Sequence, residues 1–306
     1  MTAQRNLREG GAALLVAMLL AALAAAVMAT LASSQSQWMR TVELRRDQVQ
    51  AQALVVAGLA WSRQIVALDA RAGSTDHLGE PWALPLPPTP LENGSVEGRI
   101  VDAQGLLNLN NLAGDSPLAR VSRARLERLF TQAGMPASVL DALADWIDSD
   151  DVARVNGAES AVYRDGGRLA PNALLVRSAE ATLVRGIDDA KFATLAAMVT
   201  ALPSATALNV NTAPPDVLAT ALTGLSGDTL AGVLADRLAR PFTTMAEFRS
   251  RLPAGVGIDD EAALAVRTEY FIVTVKARQG ETIAQGRSLV RRRAEGAPIV
   301  VWQTVE

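Results

Sequence analysis

The sequence has no cysteine and a single histidine, His77, among its 306 residues. The first absence excludes disulfides, thiolate-bound zinc and thiol nucleophiles. The second leaves any serine–histidine–acid site, or any zinc site, hanging on one side chain. His77 lies in the loop "GSTDHLGEPW" and reads as an exposed loop residue. The formal net charge is only −3, so nothing in the balance calls for nucleic acid. Composition therefore argues against most hydrolase chemistry before any motif is sought.

Charge is also missing locally. No charged residue occurs between Glu9 and Arg40, and no glycine or proline between Ala12 and Ala57. Ala12 to Met28 are all apolar, and Thr30, Leu31 and Ala32 extend the run towards the roughly 20 residues that span a bilayer. Arg5 and Arg8 precede it, which favours a cytoplasmic N-terminus. A cleaved secretory signal with a small-residue site near "TLAS" is the competing reading. Against it, signal cores hold about 7 to 15 apolar residues, and no helix breaker appears where a signal would end. Beyond Arg40 the pattern turns amphipathic, with Val42, Val49, Leu54, Val56, Leu59, Trp61, Ile65 and Val66 set among Arg45, Arg46, Asp47 and Gln50. The spacing predicts one helix over about residues 12–70, roughly 85 to 90 Å long. Its first third would lie in lipid, and its second half would pack one face on a globular head.

The remainder of the chain has an α+β pattern. The five prolines of "RAGSTDHLGEPWALPLPPTPLENGS" predict a surface connection. Val96–Val101 and Leu106–Leu112 read as strands around an "AQG" turn. Ser116-Pro117 then opens a helix that Gly134 ends, and Val139, Leu140, Leu143, Trp146 and Ile147 mark the next. Further helices are predicted near 178–184, 188–201, 214–223, 228–239 and 244–252. "EYFIVTVKARQ" and "TIAQGRSLVRR" predict a hairpin around "GE", and "APIVVWQTVE" a last strand. "RRR" at 291–293 reads as a solvated strand end. The sum is a small antiparallel sheet carrying a large, mostly helical insertion.

"DALADWIDSDDVARVNGAES" holds the one dense carboxylate cluster. Asp141, Asp145 and Asp148 share a helix face, and Asp148, Asp150 and Asp151 enter a loop. Unpaired, they would repel one another. Calcium takes about six to eight oxygen ligands of this kind. Asp148 and Glu159 have the spacing of the first and twelfth positions of an EF-hand loop, but Val152 and Ala153 break the middle of that pattern. Chemistry alone leaves a calcium site and a capped, solvated acidic loop both open. A second segment, 209–252, reads as helix, glycine-bearing turn and helix, like a helix-hairpin-helix unit. From Pro203 to Gly257 its acids (Asp216, Asp228, Asp236, Glu247) equal its arginines (Arg237, Arg240, Arg249, Arg251). DNA affinity would lack its usual electrostatic source there, so the unit reads as structural.

These blocks carry a family resemblance. A short basic leader, a glycine, a membrane run and an amphipathic extension resemble a class III prepilin. "LNLNNL", "LADWIDSDD", "NGAESAVY", "PNALLVRSAE" and "LNVNTAPPDVL" resemble, in order and over nearly the whole chain, the K-type minor pseudopilins of type II secretion systems. The resemblance implies a pseudopilin fold and a leader, 1–11, cut between Gly11 and Ala12 by the prepilin peptidase, with cleavage after Gly10 as the alternative; methylation of the new N-terminus goes with it. It also implies a membrane helix (12–34), its periplasmic continuation (35–72), a linker with first strands (73–112), a helical insertion (113–264) and closing strands (265–306). Most pilins carry glutamate at the fifth mature position; here it is Val16, and K-type subunits are the class that lacks that residue. The insertion of this family carries calcium, with Asp148, Asp150 and Glu159 the expected ligands here and Asp151 a weaker one. The implied function is a non-enzymatic part of the pseudopilus tip complex, which primes pseudopilus assembly and helps export folded proteins across the outer membrane, with the chain anchored in the inner membrane and its head in the periplasm. Its implied partners are I-type and J-type minor pseudopilins, the major pseudopilin, the prepilin peptidase and the inner-membrane assembly platform, with no nucleic acid. Two rivals stand beside it: a membrane-anchored DNA-uptake protein using the hairpin unit, and an anchored calcium-dependent enzyme.

Overall fold

The run without glycine or proline from Ala12 to Ala57 lies inside one helix, α1, over Ala3–Ala72. Its 70 residues make it about 105 Å long. The computed structural model describes residues 3–293 and 296–306, with residues 3–11 and Ala72 described by backbone alone. Met1 and Thr2 of the expected leader lie outside the described residues. The apolar stretch from Ala12 has no burial against the rest of the chain. Further along, Ala51, Val55, Leu59, Ser62 and Val66 are buried at helical spacing. That face lies on the sheet, and close approach is possible because the sheet has a glycine there. A Cβ on Gly286 would overlap Val55 and stand 3.0 Å from Leu59.

The sheet is antiparallel throughout: β1 (Leu86–Leu91), β2 (Gly94–Asp102), β3 (Tyr270–Gln279), β4 (Thr282–Arg291) and β5 (Ile299–Val305), in that spatial order. β1 corrects the reading of the proline-rich segment as a mere connection. Pro87, Pro88 and Pro90 lack donors, which a strand tolerates only at an edge, and β1 is the edge strand. The phenylalanine and valines of β3 (Phe271, Val273, Val275) alternate inward with Ile100 and Trp82 to form the core against α1.

The sheet breaks between Asp102 and Tyr270, and the helical head is inserted there. It contains α2 (Pro117–Gln132), α3 (Val139–Ile147), α4 (Ser160–Tyr163), α5 (Asp189–Leu195), α6 (Pro215–Thr220), α7 (Gly227–Ala239) and α8 (Met245–Ser250). Leu126, Leu129, Phe130, Leu140 and Leu143 centre its separate core. Ser116 caps α2 by accepting from the Ala119 amide, and Gly134 takes the left-handed conformation (φ 73°) just past its end.

Two expectations need correction here. The strand expected at Leu106–Leu112 shrinks to Leu107–Asn108, paired in parallel with Val199–Thr200, and Leu109–Leu112 forms a 3-10 turn. The helix expected to 201 stops at Leu195. The strand is short because Asn108 and Asn110 use side chains where a strand would use backbone. Asn110 donates to the carbonyls of Leu175 and Leu202 (2.9 Å each) and accepts from the Leu175 amide.

The head sits at one end of the sheet. At the β3–β4 turn, Glu281 pairs with Arg40, 3.6 Å away, on the membrane side of α1. At the opposite end Arg292 pairs with Asp69 at 2.7 Å, near the end of α1. The insertion leaves from this second end, through Asp102 and Tyr270. It is therefore the part of the molecule remote from the apolar stretch.

Candidate metal centre

The amphipathic helix α3 buries Leu140, Leu143 and Ile147 and carries Asp145 inward with them, at 0% exposure. A lone carboxylate there would be costly. Arg154 answers it from the next loop, donating its backbone N–H (3.1 Å) and its guanidinium (2.6 Å). The same guanidinium pairs with Asp148, where the chain leaves α3 in an extended conformation. Asp141 is drawn away to Arg123 on α2.

The chain then returns through Gly157 and Ala158 to Glu159, just before α4. One oxygen from each of Asp148, Asp150 and Glu159 lies within 4.8 Å of the others. Two oxygens on opposite sides of a calcium ion stand about 5 Å apart, so the spacing fits one. Glu159 is 4% exposed, and both its oxygens lack a hydrogen-bond partner. Asp148 Oδ1 is buried and unpartnered as well. Burial, reinforced by Asp145, Asp148, Asp151 and Asp150, pushes the Glu159 carboxyl up to about 7. Arg154 alone faces this crowd of acids at ion-pair distance among the described residues. Every donor is an oxygen, which suits a hard cation and not zinc or copper.

Asp151, the fourth expected ligand, is exposed and outside the converging set. Asn172 takes a place that sequence reasoning missed. Its amide donates to the Asp150 carbonyl, and its Oδ1 is buried without a partner. It is the one described non-glycine residue with positive φ, at 46°. Asparagine after proline, in a residue type that tolerates that conformation, was the available signal.

The hairpin-like segment is occupied internally. Arg237 is buried and donates to the carbonyls of Val210 and Ala213. Arg251 holds Asp236 and Glu247, Arg240 lies 3.7 Å from Glu247, and Arg249 pairs with Glu261. Asn211 clasps the Phe242 backbone through both ends of its amide, at 2.8 and 2.9 Å. The "NVNTAP" block thus works as a structural clasp. His77 is only half-buried, and its Nδ1 accepts from the Gly79 amide.

A long helix, bare and apolar in its first half and covered by an antiparallel sheet in its second, defines a pseudopilin, here one with an acidic-looped helical head. Models of "Type II secretion system (T2SS), protein K" match residues 105–204 and 208–267, more than half of the chain. The chain is 30% identical to type II secretion system protein K of Klebsiella pneumoniae over 315 residues, covering 96% of each. It is 28% identical to the protein of that name from Pseudomonas aeruginosa, covering 94% of this chain and 90% of the other. The chain belongs to the type II secretion system protein K family. Its fold matches, with a TM-score of 0.74 and 24% identity, a chain in the crystal structure of the GspK-GspI-GspJ complex from enterotoxigenic Escherichia coli, over 87% of this chain and 99% of that one.

Proposed function

We propose that this subunit caps the pseudopilus of a type II secretion system, together with I-type and J-type minor pseudopilins. It would prime assembly of the filament that moves folded proteins across the outer membrane. The observation that carries the reading is the placement of the head at the sheet end remote from the apolar stretch. A subunit that continued the filament would have to stack there, and the head occupies that space. The work is mechanical, and no side chain is assigned a catalytic role. The apolar part of α1 holds the subunit in the inner membrane until assembly, with the head in the periplasm. Cleavage between Gly11 and Ala12 by the prepilin peptidase would free an N-terminus whose fifth residue is Val16, with methylation as the next step. The alanines of that helix allow close helix–helix approach to neighbouring subunits, including the major pseudopilin. Calcium held by Asp148, Asp150 and Glu159, with Asn172 beside them, would neutralise the acidic loop and fix the head. The assembly platform of the inner membrane completes the set of partners.

Co-expression of the full chain with the I-type and J-type subunits of the same genome tests this. Co-purification of all three from detergent-solubilised membranes, with a mature chain starting at Ala12 by mass spectrometry, is the expected result. Tight, salt-sensitive DNA binding without a ternary complex would instead support the DNA-uptake reading. A mature chain starting near Ser33 would restore a cleaved signal.

A further inference from the structure

A second group of convergent acids lies where α1 passes into the linker. Asp69 closes α1, Asp76 sits in the loop after it, and Glu80 precedes the turn that buries Trp82. One oxygen from each lies within 4.8 Å of the others. Asp76 is 1% exposed, yet its Oδ1 has no partner.

Each acid is oriented by one oxygen. Asp69 Oδ2 takes Arg292 Nη1 at 2.7 Å. Asp76 Oδ2 takes Arg292 Nη2 at 2.5 Å and the Thr268 amide at 2.7 Å. Glu80 Oε2 takes the His77 amide and Trp82 Nε1, both at 2.8 Å. Of the remaining oxygens, Asp76 Oδ1 is buried without a partner, and the Asp69 and Glu80 carboxyls face each other at hydrogen-bond distance. Arg292 is the one described cation in contact with the group, so three carboxylates face a single guanidinium. Arg292 is 4% exposed, which corrects the expectation of a solvated "RRR" end at its middle residue, while Arg291 and Arg293 are exposed.

We infer that Asp69, Asp76 and Glu80 form a cation site for a hard divalent ion, independent of the acidic loop. Three oxygen ligands on a frame already fixed by Arg292, Thr268 and Trp82, with water filling the remaining positions, match what calcium or magnesium accepts. The ion would tie three parts of the chain together. Asp69 belongs to α1, Arg292 and Thr268 flank the sheet, and the Asp76 carbonyl accepts from Asn209 of the head at 3.1 Å. Asn209 also donates to Asp102, where the insertion departs. The site would thus stiffen the joint between the stalk and the head.

The test uses the detergent-solubilised full chain at pH 8. Equilibrium dialysis with radioactive calcium should find two ions per chain. Asp148→Asn with Glu159→Gln should leave one, and adding Asp69→Asn with Glu80→Gln should leave none. Both substitutions at the joint keep an acceptor oxygen for Arg292, the His77 amide and Trp82, so the fold should survive; circular dichroism checks this. In the loop variant, terbium emission excited through tryptophan should fall at least fivefold on Trp82→Phe, and magnesium or calcium displacement names the ion. The inference is overturned if the loop variant binds no ion, which would mean that Asp69 and Glu80 share a proton instead. It is also overturned if Asp69→Asn with Glu80→Gln alone leaves the stoichiometry of the wild-type chain unchanged. Loss of the loop ion with the joint ion retained would count against the calcium assignment under the proposed function and leave this one standing.

Discussion

The carboxylate of Asp145 occupies the space that a side chain on Gly157 would need. A Cβ built on Gly157 overlaps Asp145 Oδ2 and comes within 2.9 Å of the Arg154 amide. The return limb of the acidic loop can therefore reach Glu159 only because residue 157 has no side chain. Gly157→Ala should destabilise the head by about 1 to 3 kcal/mol, the usual cost of overpacking. It should also weaken calcium binding, because the displaced carboxylate is the one that orients Arg154. Thermal melts with and without calcium check both effects; an unchanged melt would show that the loop relaxes freely.

The raised pKa of Glu159 gives stability a definite dependence on pH. Its carboxyl moves from an ordinary 4.5 to about 7 in the folded chain, first through burial and then through the neighbouring aspartates. The folded state thus holds a proton that the unfolded state releases. The resulting stabilisation is complete below about pH 4.5 and is lost as pH rises through 7, an effect of at most about 3 kcal/mol. In chelator, the urea midpoint should therefore be lower at pH 8 than at pH 5.5. Calcium needs the ionised carboxylate, so saturating calcium should reverse that order. A midpoint independent of pH in chelator would mean that Glu159 is solvated.

Asn110 links the interior of the head to the acidic loop. Its side chain satisfies two carbonyls and one amide that no strand partner reaches. Asn110→Ala would leave those buried groups unpaired, at roughly 1 to 3 kcal/mol for each that water cannot reach. A loss of about 3 kcal/mol in urea unfolding is expected. Calcium affinity should fall as well, since Leu175 lies three residues from Asn172.

The parts of this architecture that were legible in sequence are those set by local pattern. The helix α1 is fixed by missing breakers and by the spacing of Ala51, Val55, Leu59 and Val66, and Ser116 and Gly134 bracket α2 through capping chemistry. Hidden features depend on partners distant in the chain. Pro87, Pro88 and Pro90 look like loop residues until their strand is known to lie at an edge. "LLNLNNL" looks like a strand because its asparagines are polar alternates, yet they bond to Leu175, Leu202 and Thr206 some 65 to 95 positions away. Arg292 belongs to a basic triplet in sequence but meets Asp69 and Asp76 in space. Asp148, Asp150 and Glu159 were expected from the family resemblance, which spacing alone left open, whereas Asn172 required the loop that brings it back to Asp150.

Asn172 separates backbone strain from ligand chemistry. Its φ of 46° costs an asparagine more than a glycine, and its Oδ1 is buried without a partner beside the acidic loop. Asn172→Gly removes the strain and the amide bond to the Asp150 carbonyl together, so the melt in chelator should shift little. It also removes a neutral oxygen that calcium could use. Calcium affinity should fall about tenfold, close to 1.4 kcal/mol. Asn172→Ala removes the same oxygen but keeps the strain, so it should match the glycine variant in affinity and melt lower in chelator. Equal affinity in wild type and both variants would place Asn172 in loop geometry alone, with its buried oxygen served by water.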